Sequence, residues 1–535
     1  MAIVLFLMLS VVGCSNFDES FGLDYTSSSQ SMSMQSLVDN SSFETSLYRS
    51  DEFRNSNIGL VLMGAERRKV YGERRASFFA EFIPVMEIDD SDDDWDEEYP
   101  FGYNPIFDSL ILFFSLKEYS GDTLVQQTFD VYEAKSTSFL DGRLDSIFFH
   151  NFDTLLLELT DKPLFHFKFP DPDNEVYTTS NYVILHPYED NEEDVNDFIN
   201  RLLLLDDNST MDIYDLDQRE LFLEKFKGVY IVPTTTYGTD EAASELESVG
   251  ATYSMYVDGT GLGFYARSIY RDDISIVRDT LTMTFAFREF SSTDVDDDYH
   301  GLTINKVTFD SELTSGEEAV TLRVEGMGGV VSKISITQSL FEELDRVLST
   351  TMDKNDTPYN TIFFNRAQLN IYVTEEAGGT YDYAAIEPLK ITPWMDAMPS
   401  RLGLYSVYSD YFATEDDHDD DKSTLAGIED YYYAYELSYS TILPYNGYLN
   451  RSLGCYEMII SAQLQEAWNS YLEAKEAAGG DASLIDWEND ITERSFYVGP
   501  VADDCFTVKY ASLQGMPDAI NNAPLKLDIT YTLVK

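Results

Sequence analysis

Histidine, cysteine and tryptophan are scarce in this chain, which contains 5 His, 3 Cys and 4 Trp among 535 residues. No two of the histidines have the sequence spacing of metal ligands, and neither an H-E-x-x-H nor a G-x-S-x-G motif is present. The 96 acidic residues make pairs of carboxylates inevitable, so such pairs carry no information about glycoside hydrolysis. The sequence therefore predicts a protein that is not an enzyme.

Basic residues are also few, because 35 Lys plus Arg stand against 96 Asp plus Glu and give a formal net charge of −61 at pH 7. A chain this acidic repels phosphates, and it has no basic stripe with interleaved aromatic residues, so nucleic acid is excluded as a partner. Hydrophobic residues make up 44% of the chain, which excludes a disordered acidic polymer. The length predicts two or three domains, or two large β units.

After residue 13 the chain has no long apolar run, so the sequence predicts no membrane-spanning helix in the body. Residues 1–13 are apolar and have the length of a signal peptide, although no basic residue precedes the apolar run. They end in Val11-Val12-Gly13-Cys14, which resembles the bacterial lipobox. We therefore predict that Cys14 is lipidated after cleavage, the alternative being an ordinary signal peptide followed by an incidental cysteine.

The residues after Cys14 predict a tether and a destination. Residues 14–45 are rich in Ser, Asp and Asn, which is typical of a flexible segment. Asp18 and Glu19 follow the cysteine closely, and this resembles the signal that exports lipoproteins of Bacteroidota to the cell surface. We expect the protein to be attached to the outer membrane through its lipid and to face the cell exterior, with the periplasmic face as the alternative.

Alternation of apolar and polar residues with a period of two dominates the body and predicts β-strands. Candidate strands lie near 76–83, 108–116, 127–134, 165–169, 229–233, 281–287, 361–373, 404–408 and 525–533. The predicted fold class is mainly β, with two antiparallel sandwich-like or barrel-like units, long acidic loops and a few packed helices. The predicted domains are residues 46–220 and residues 221–535.

Apolar residues at helical spacing predict three core-packing helices, near 338–350, 456–478 and 192–204. Four acidic segments separate the strands and are predicted to be solvated loops, because dense like charges repel one another. They are residues 89–98, 189–197, 294–298 and 415–421.

Several blocks, in order along the chain, resemble one family. They are Asn104–Phe114, Tyr119–Asp122, Val131–Glu133, Leu223–Ile231, Gly326–Val330 and Asn365–Leu369. Their order and spacing are similar to those of the Bacteroidota lipoproteins grouped as domain of unknown function 4270. The resemblance implies an outer-membrane lipoprotein and supplies no catalytic residues. From the residues alone the blocks are scaffold, and the glycines at 326–329 predict a tight turn because they lack the spacing of a phosphate-binding loop.

Structural calcium is the one cofactor that the sequence suggests. Asp90, Asp92, Asp94 and Asp96, and likewise Asp416, Asp417 and Asp419, offer hard oxygen ligands at close spacing. Neither group has the glycine and the glutamate of an EF-hand loop, and the alternative for both is a solvated charge run with no cofactor.

Cys455 and Cys505 are the other two thiols. In an exported protein an even pair of cysteines suggests a disulfide, and the alternative is two buried thiols that pack as small apolar residues.

Together these features predict a non-catalytic, lipid-anchored surface protein that acts as a binding module or as an accessory subunit of an outer-membrane protein complex. Two alternatives stay open. Abundant aromatic residues and carboxylates also suit a glycan-binding or carbohydrate-active surface protein, and the acidic runs suit a calcium-dependent adhesin.

Overall fold

The computed structural model describes most of the chain outside its first 30 residues. The described residues are 31–37, 43–50, 53–68, 71–85, 101, 103–137, 157–170, 180–206, 211–214, 219–238, 248–269, 281–287, 302–310, 316, 319–353, 355–374, 398–408, 426–428, 430, 447–501, 506–515 and 525–535. They form a mainly β protein of antiparallel sheets with a few helices, which confirms the predicted fold class. No helix in this part of the chain is both long and apolar enough to cross a membrane.

The strands in chain order are β1 (Ser31–Leu37), β2 (Phe43–Tyr48), β3 (Leu60–Arg68), β4 (Gly72–Ala80), β5 (Phe82–Pro84), β6 (Tyr103–Gly121), β7 (Gln127–Ser136), β8 (Glu158–Leu159), β9 (Phe165–Phe169), β10 (Ser180–Pro187), β11 (Val229–Pro233), β12 (Ser248–Ile269), β13 (Leu281–Phe287), β14 (Thr303–Phe309), β15 (Thr321–Glu325), β16 (Val331–Ile336), β17 (Thr361–Tyr372), β18 (Leu402–Val407), β19 (Ala426–Gly427), β20 (Leu449–Asn450), β21 (Cys455–Ile459), β22 (Ser495–Pro500), β23 (Tyr510–Gln514) and β24 (Lys526–Val534). The α-helices are α1 (Glu192–Leu202), α2 (Arg219–Lys225), α3 (Gln338–Thr350) and α4 (Ser461–Ala477).

The first unit, which we call the barrel unit, contains strands β3–β14. Eight of them close into an antiparallel barrel in the order β4, β11, β7, β9, β10, β6, β12 and β3, and β3 pairs again with β4. Alternate side chains point inward, and this inner set is rich in phenylalanine. The rings of Phe129 and Phe167, for example, stack with their centroids 4.8 Å apart. Phe198 of α1, Phe222 of α2 and Phe226 just after α2 belong to the same core.

The second unit, which we call the two-sheet unit, contains β1, β2 and β15–β24. One five-stranded sheet has the order β1, β24, β17, β21, β20, and the other has the order β19, β18, β22, β16, β2, while β15 and β23 pair separately as a two-stranded ribbon. Residues of both sheets share one hydrophobic core with helices α3 and α4. Trp468 and Tyr471 of α4 lie fully inside it, and their rings are 5.4 Å apart.

Strong local patterns give correct element bounds. The predicted strands 165–169, 229–233 and 281–287 and the predicted helix 338–350 have the bounds found in the structure.

The division predicted between residues 220 and 221 does not coincide with the division between sheets, because β11 to β14 complete the barrel unit. Strands β1 and β2 begin inside the predicted tether 14–45 and pair with β24 and β16. These pairings join residues that are far apart in sequence, so a local pattern of apolar residues does not predict them.

Helix α4 begins at Ser461, whereas the apolar pattern predicted its start near residue 456. Residues 455–459 instead form β21, which pairs with β17. Asp430 caps the helix from a remote segment, because its carboxylate accepts hydrogen bonds from the backbone N–H groups of Ala462 and Gln463, each at 2.9 Å. A cap supplied from outside the helix leaves no mark in the local sequence.

We expect the Asp430→Ala substitution to destabilise the protein by about 0.5–2 kcal/mol, the usual cost of losing a helix cap. Asp430 is buried, so the two N–H groups that it serves would lose their partner without gaining water. Urea unfolding followed by circular dichroism measures the loss. The conservative variant Asp430→Asn keeps an acceptor oxygen and should retain most of the stability; equal losses for the two variants would contradict a capping role.

The acidic segment at 189–197 is not the predicted loop. It forms a short 3-10 turn at Glu189–Asn191 and then the first turns of α1, with Glu192, Glu193 and Asp194 in the first turn. Negative charge is favourable there, because the helix dipole places partial positive charge at the N-terminus. The acidic segments at 89–98, 294–298 and 415–421 lie outside the described residues.

The family-like blocks are structural elements, as predicted from their residues. The glycines at 326–329 form a tight turn between β15 and β16, where the N–H of Gly329 donates to the carbonyl of Gly326 at 3.0 Å. Met327 and Gly328 in the turn have positive φ angles of 58° and 69°. Tyr119, Ser120 and Gly121 are the end of β6, and the turn that follows starts at Asp122, whose Oδ1 accepts from Leu124 N–H at 2.9 Å.

A buried charge network lies where the two units meet. Glu66 of β3 is fully buried and accepts from Nε of Arg68 at 2.6 Å and from Nη2 of Arg74 at 2.5 Å. The same nitrogen of Arg74 donates to the carbonyl of Val508 in the two-sheet unit, and the Arg68 guanidinium lies 3.3 Å from the centre of the Tyr510 ring. The pairs with these two arginines hold the pKa of Glu66 below its ordinary value even though burial alone would raise it. The network therefore keeps Glu66 ionised and joins the two units.

Candidate functional site

A groove of about 490 Å³ lies on the barrel unit, across β14, β4, β11 and β7. Its lining is Arg75, Ser77, Tyr132, Leu159, Tyr230, Val232, Pro233, Lys306 and Thr308. This set combines two cations, two tyrosines and two hydroxyl side chains with three apolar residues. Although acidic residues greatly outnumber basic ones in the chain, no carboxylate is among these lining residues.

Strand alternation places these side chains together. Val229 and Ile231 of β11 belong to the main barrel core, so Tyr230 between them lies on the opposite face. Tyr230 is the cross-strand partner of Tyr132 in β7, and Lys306 in β14 is the partner of Ser77 in β4. A separate small cluster, which includes Phe79, Ala134 and Ile304, packs with Tyr230 and forms a second apolar layer at this face. The groove therefore lies on an ordered apolar layer.

The tyrosines of the groove are neutral hydrogen-bonding groups at physiological pH. The hydroxyl of Tyr230 shares a hydrogen bond of 2.7 Å with Oγ of Ser77. Burial raises the pKa of Tyr230 to about 12, and burial together with the nearby charge of Asp130 raises the pKa of Tyr132. Neither phenol is therefore activated as a nucleophile or a base, and both suit contact with a ligand through ring and hydroxyl.

The two cationic side chains of the groove differ in whether other protein groups already hold them. Arg75 is held by Oε1 of Glu73 at 3.0 Å and by the carbonyl of Pro233 at 2.5 Å, so its guanidinium is part of the wall. Lys306 forms no ion pair with any residue in the described ranges, and its ammonium can meet an incoming group. A polar or anionic group on a ligand would be favoured at Lys306.

A second cleft of about 260 Å³ lies beside α1, but the guanidinium of Arg201 in its lining is already paired. Four basic and four acidic residues are in its lining. Arg201 of α1 forms a bidentate pair with Glu133, and both N–H···O distances are 2.8 Å. Arg201 also donates to Asp197 at 2.9 Å. We therefore regard the groove, and not this cleft, as the candidate site.

A row of polar side chains continues from the groove across β7, β9 and β10. His166 is the cross-strand partner of Asp130 on one side and of His186 on the other. The hydroxyl of Tyr188 donates to Oδ1 of Asp130 at 2.6 Å, and the Tyr188 ring is 4.7 Å from that of His166. The sequence spacing of these residues does not predict the row, and His166 is half-buried in the structure.

None of the residues predicted from sequence motifs is among the described residues that line the groove. Cys14, the aspartates at 90, 92, 94 and 96 and those at 416, 417 and 419 lie outside the described residues, and so does Cys505. Cys455 is a free, buried thiol at the start of β21, and burial raises its pKa to about 11. Among the described residues, no three His, Cys, Asp or Glu side chains are grouped closely enough to hold a metal ion.

Searches of protein-family models, of curated proteins and of solved structures found no match to this chain.

Proposed function

We propose that this chain is a non-catalytic binding protein, anchored to the outer membrane through a lipid on Cys14, that holds its ligand in the groove of the barrel unit. The observation that carries the proposal is the lining of the groove. Two neutral tyrosines, the hydroxyls of Ser77 and Thr308 and the ammonium of Lys306 converge on one surface, and none of its described lining residues is a carboxylate. Ligand sites combine an apolar, aromatic lining with a few placed polar groups in this way.

The anchor and the location rest on the sequence. The apolar residues 1–13 end at the lipobox-like Val11–Cys14, and the downstream blocks resemble an outer-membrane lipoprotein family. Acidic residues soon after Cys14 favour display on the cell surface. An anchored protein works close to neighbouring membrane proteins, so the proposal includes a role as an accessory subunit of an outer-membrane complex.

Extraction of the full chain in mild detergent, followed by mass spectrometry, tests the groove as the binding site. We expect a specific ligand or partner to co-purify with the wild-type protein. It should be retained at least about tenfold less by the Lys306→Glu and Tyr132→Ala variants, since charge reversal and loss of a ring each remove a contact. Arg346→Glu, on the exposed face of α3, is the matched control and should retain it. A wild-type protein that travels alone, or equal retention by all variants, would contradict the proposal.

Glycan binding is a second candidate, favoured by the specific presence of two tyrosines and two hydroxyl side chains in the groove. Sugar rings stack on aromatic faces, and their hydroxyls exchange hydrogen bonds with serine, threonine and tyrosine. Calorimetry with a panel of neutral and acidic oligosaccharides distinguishes this candidate from a protein ligand. Binding by the wild-type protein that Tyr132→Ala weakens supports a glycan, and a panel without binders counts against one.

The calcium-dependent adhesin makes a different prediction, because its candidate ligands lie in the acidic runs at 90–96 and 416–419. If those runs hold structural calcium, a chelator should lower the melting temperature markedly, and added calcium should restore it. We expect an unchanged melting temperature from a solvated charge run. Differential scanning calorimetry with and without chelator decides between the two.

A further inference from the structure

A cross-strand pair of histidines lies on the outer face of the barrel. Of the five histidines in the chain, His166 and His186 fall in the described ranges, and the structure places them side by side. Phe165 and Phe167 belong to the barrel core, so His166 between them is on the opposite face of β9. Leu185 is likewise in the core, so His186 next to it points outward from β10 and is exposed.

The geometry of the pair suits one small cation between two rings. The imidazole centroids of His166 and His186 are 5.8 Å apart, and the planes are inclined by 40°. Directly opposed residues on antiparallel strands have Cβ atoms about 4.5–5.5 Å apart. A zinc ion bound to one nitrogen of each ring would lie about 2.0–2.1 Å from both nitrogens. Binding therefore requires rotations of the two side chains that bring a nitrogen of each ring to the same ion.

We propose that His166 and His186 form an open metal site that binds a divalent transition-metal ion, with Zn²⁺ as the ion to be tested first. Imidazole nitrogens are good ligands for Zn²⁺, Ni²⁺ and Cu²⁺, whereas Ca²⁺ and Mg²⁺ prefer oxygen ligands. Water completes the coordination, in keeping with the lack of a three-residue cluster among the described side chains. The site is separate from the groove and does not depend on its ligand.

The surroundings of His166 favour a metal ligand. Its Nδ1 is buried and has no hydrogen-bond partner among the described residues, so no structural hydrogen bond fixes the tautomer of the ring. The Asp130 carboxylate, one strand away, adds negative charge beside the site. The net charge of −61 raises the local concentration of cations over the whole surface.

Calorimetric titration of the full chain in mild detergent with ZnCl₂, without a histidine tag, tests the proposal. We expect the wild-type protein to bind Zn²⁺ at one site. Either His166→Gln or His186→Gln should weaken Zn²⁺ binding by more than roughly 10–100-fold, which is the cost of losing only an outer-shell partner of a metal ligand. His418→Gln is the matched control, because His418 lies within an acidic run that could itself attract cations. This variant should bind Zn²⁺ as the wild type does.

Electron paramagnetic resonance of Cu²⁺ added in place of Zn²⁺ identifies the ligands independently of affinity. The wild-type protein should show coupling to two imidazole nitrogens, and each single variant should show coupling to one. Circular dichroism confirms that the variants fold, as expected for side chains on the outer face. Absence of Zn²⁺ binding, unchanged binding in both histidine variants, or a Cu²⁺ signal from oxygen ligands alone would overturn the proposal.

Discussion

Replacing Glu66 by glutamine should destabilise the folded chain by about 3–5 kcal/mol, the cost of removing one partner from a buried ion pair. The carboxylate of Glu66 has no exposed surface, and it is bound by Arg68 and Arg74, whose side chains are each 6% exposed. The amide of the variant carries no charge, so both guanidinium groups would remain buried without their counter-ion. Urea unfolding followed by circular dichroism measures the change in the free energy of unfolding.

The effect has a matched control and a pH dependence. Glu343→Gln breaks a pair with Arg346 that is exposed on α3, and we expect it to leave the stability nearly unchanged. Because the pKa of Glu66 is lowered in the folded state, its stabilisation is present above the unfolded value of about 4.3 and is lost as the pH falls further. Stability of Glu66→Gln equal to that of the control would show that the junction does not depend on this network.

Replacing Cys14 by serine should release the protein from the membrane fraction. The predicted anchor carries two or three acyl chains, each CH₂ of which contributes about 0.8 kcal/mol on burial in the bilayer, and serine offers no thiol to receive them. Fractionation with immunodetection, and the intact mass of the purified protein, measure the change. The wild-type mass should exceed that of the chain from residue 14 by a diacylglyceryl group, with or without a further acyl chain.

Cys455→Ser is the control for this substitution, because Cys455 is a buried thiol within a strand and is not an acceptor for lipid. It should remain with the membrane fraction. Retention of Cys14→Ser in the membrane fraction, at the level of the wild type, would contradict the lipid anchor.

The sequence predicted the parts of this fold that depend on local patterns. The phenylalanines of β9 and the apolar stripe of α3 are each set by residues within one element, and their bounds were correct. The unit boundary was not, because β11 to β14 pair with earlier strands of the barrel unit; Lys306 of β14, for example, is the partner of Ser77 in β4, more than two hundred residues away. Alternation identifies a strand, but it does not identify the strand beside it.

The same limit explains why the candidate site could not be predicted. Tyr132 and Tyr230 come from different strands, and each reads in sequence as an ordinary strand tyrosine. His166 and His186 become neighbours only through the register of β9 and β10. The sequence could predict only features whose residues lie within one short segment, namely the lipobox-like Val11–Cys14 and the acidic runs.

The central claim, that the groove of the barrel unit holds a ligand, is tested most directly by photo-crosslinking in intact cells. A photoreactive phenylalanine analogue is placed at Leu159, an apolar residue in the lining of the groove, or, as the control, at the exposed Glu473 on α4. We expect a discrete adduct from the groove position alone, and its loss when Tyr132→Ala is added. No adduct from the groove, or the same adducts from both positions, would contradict the account.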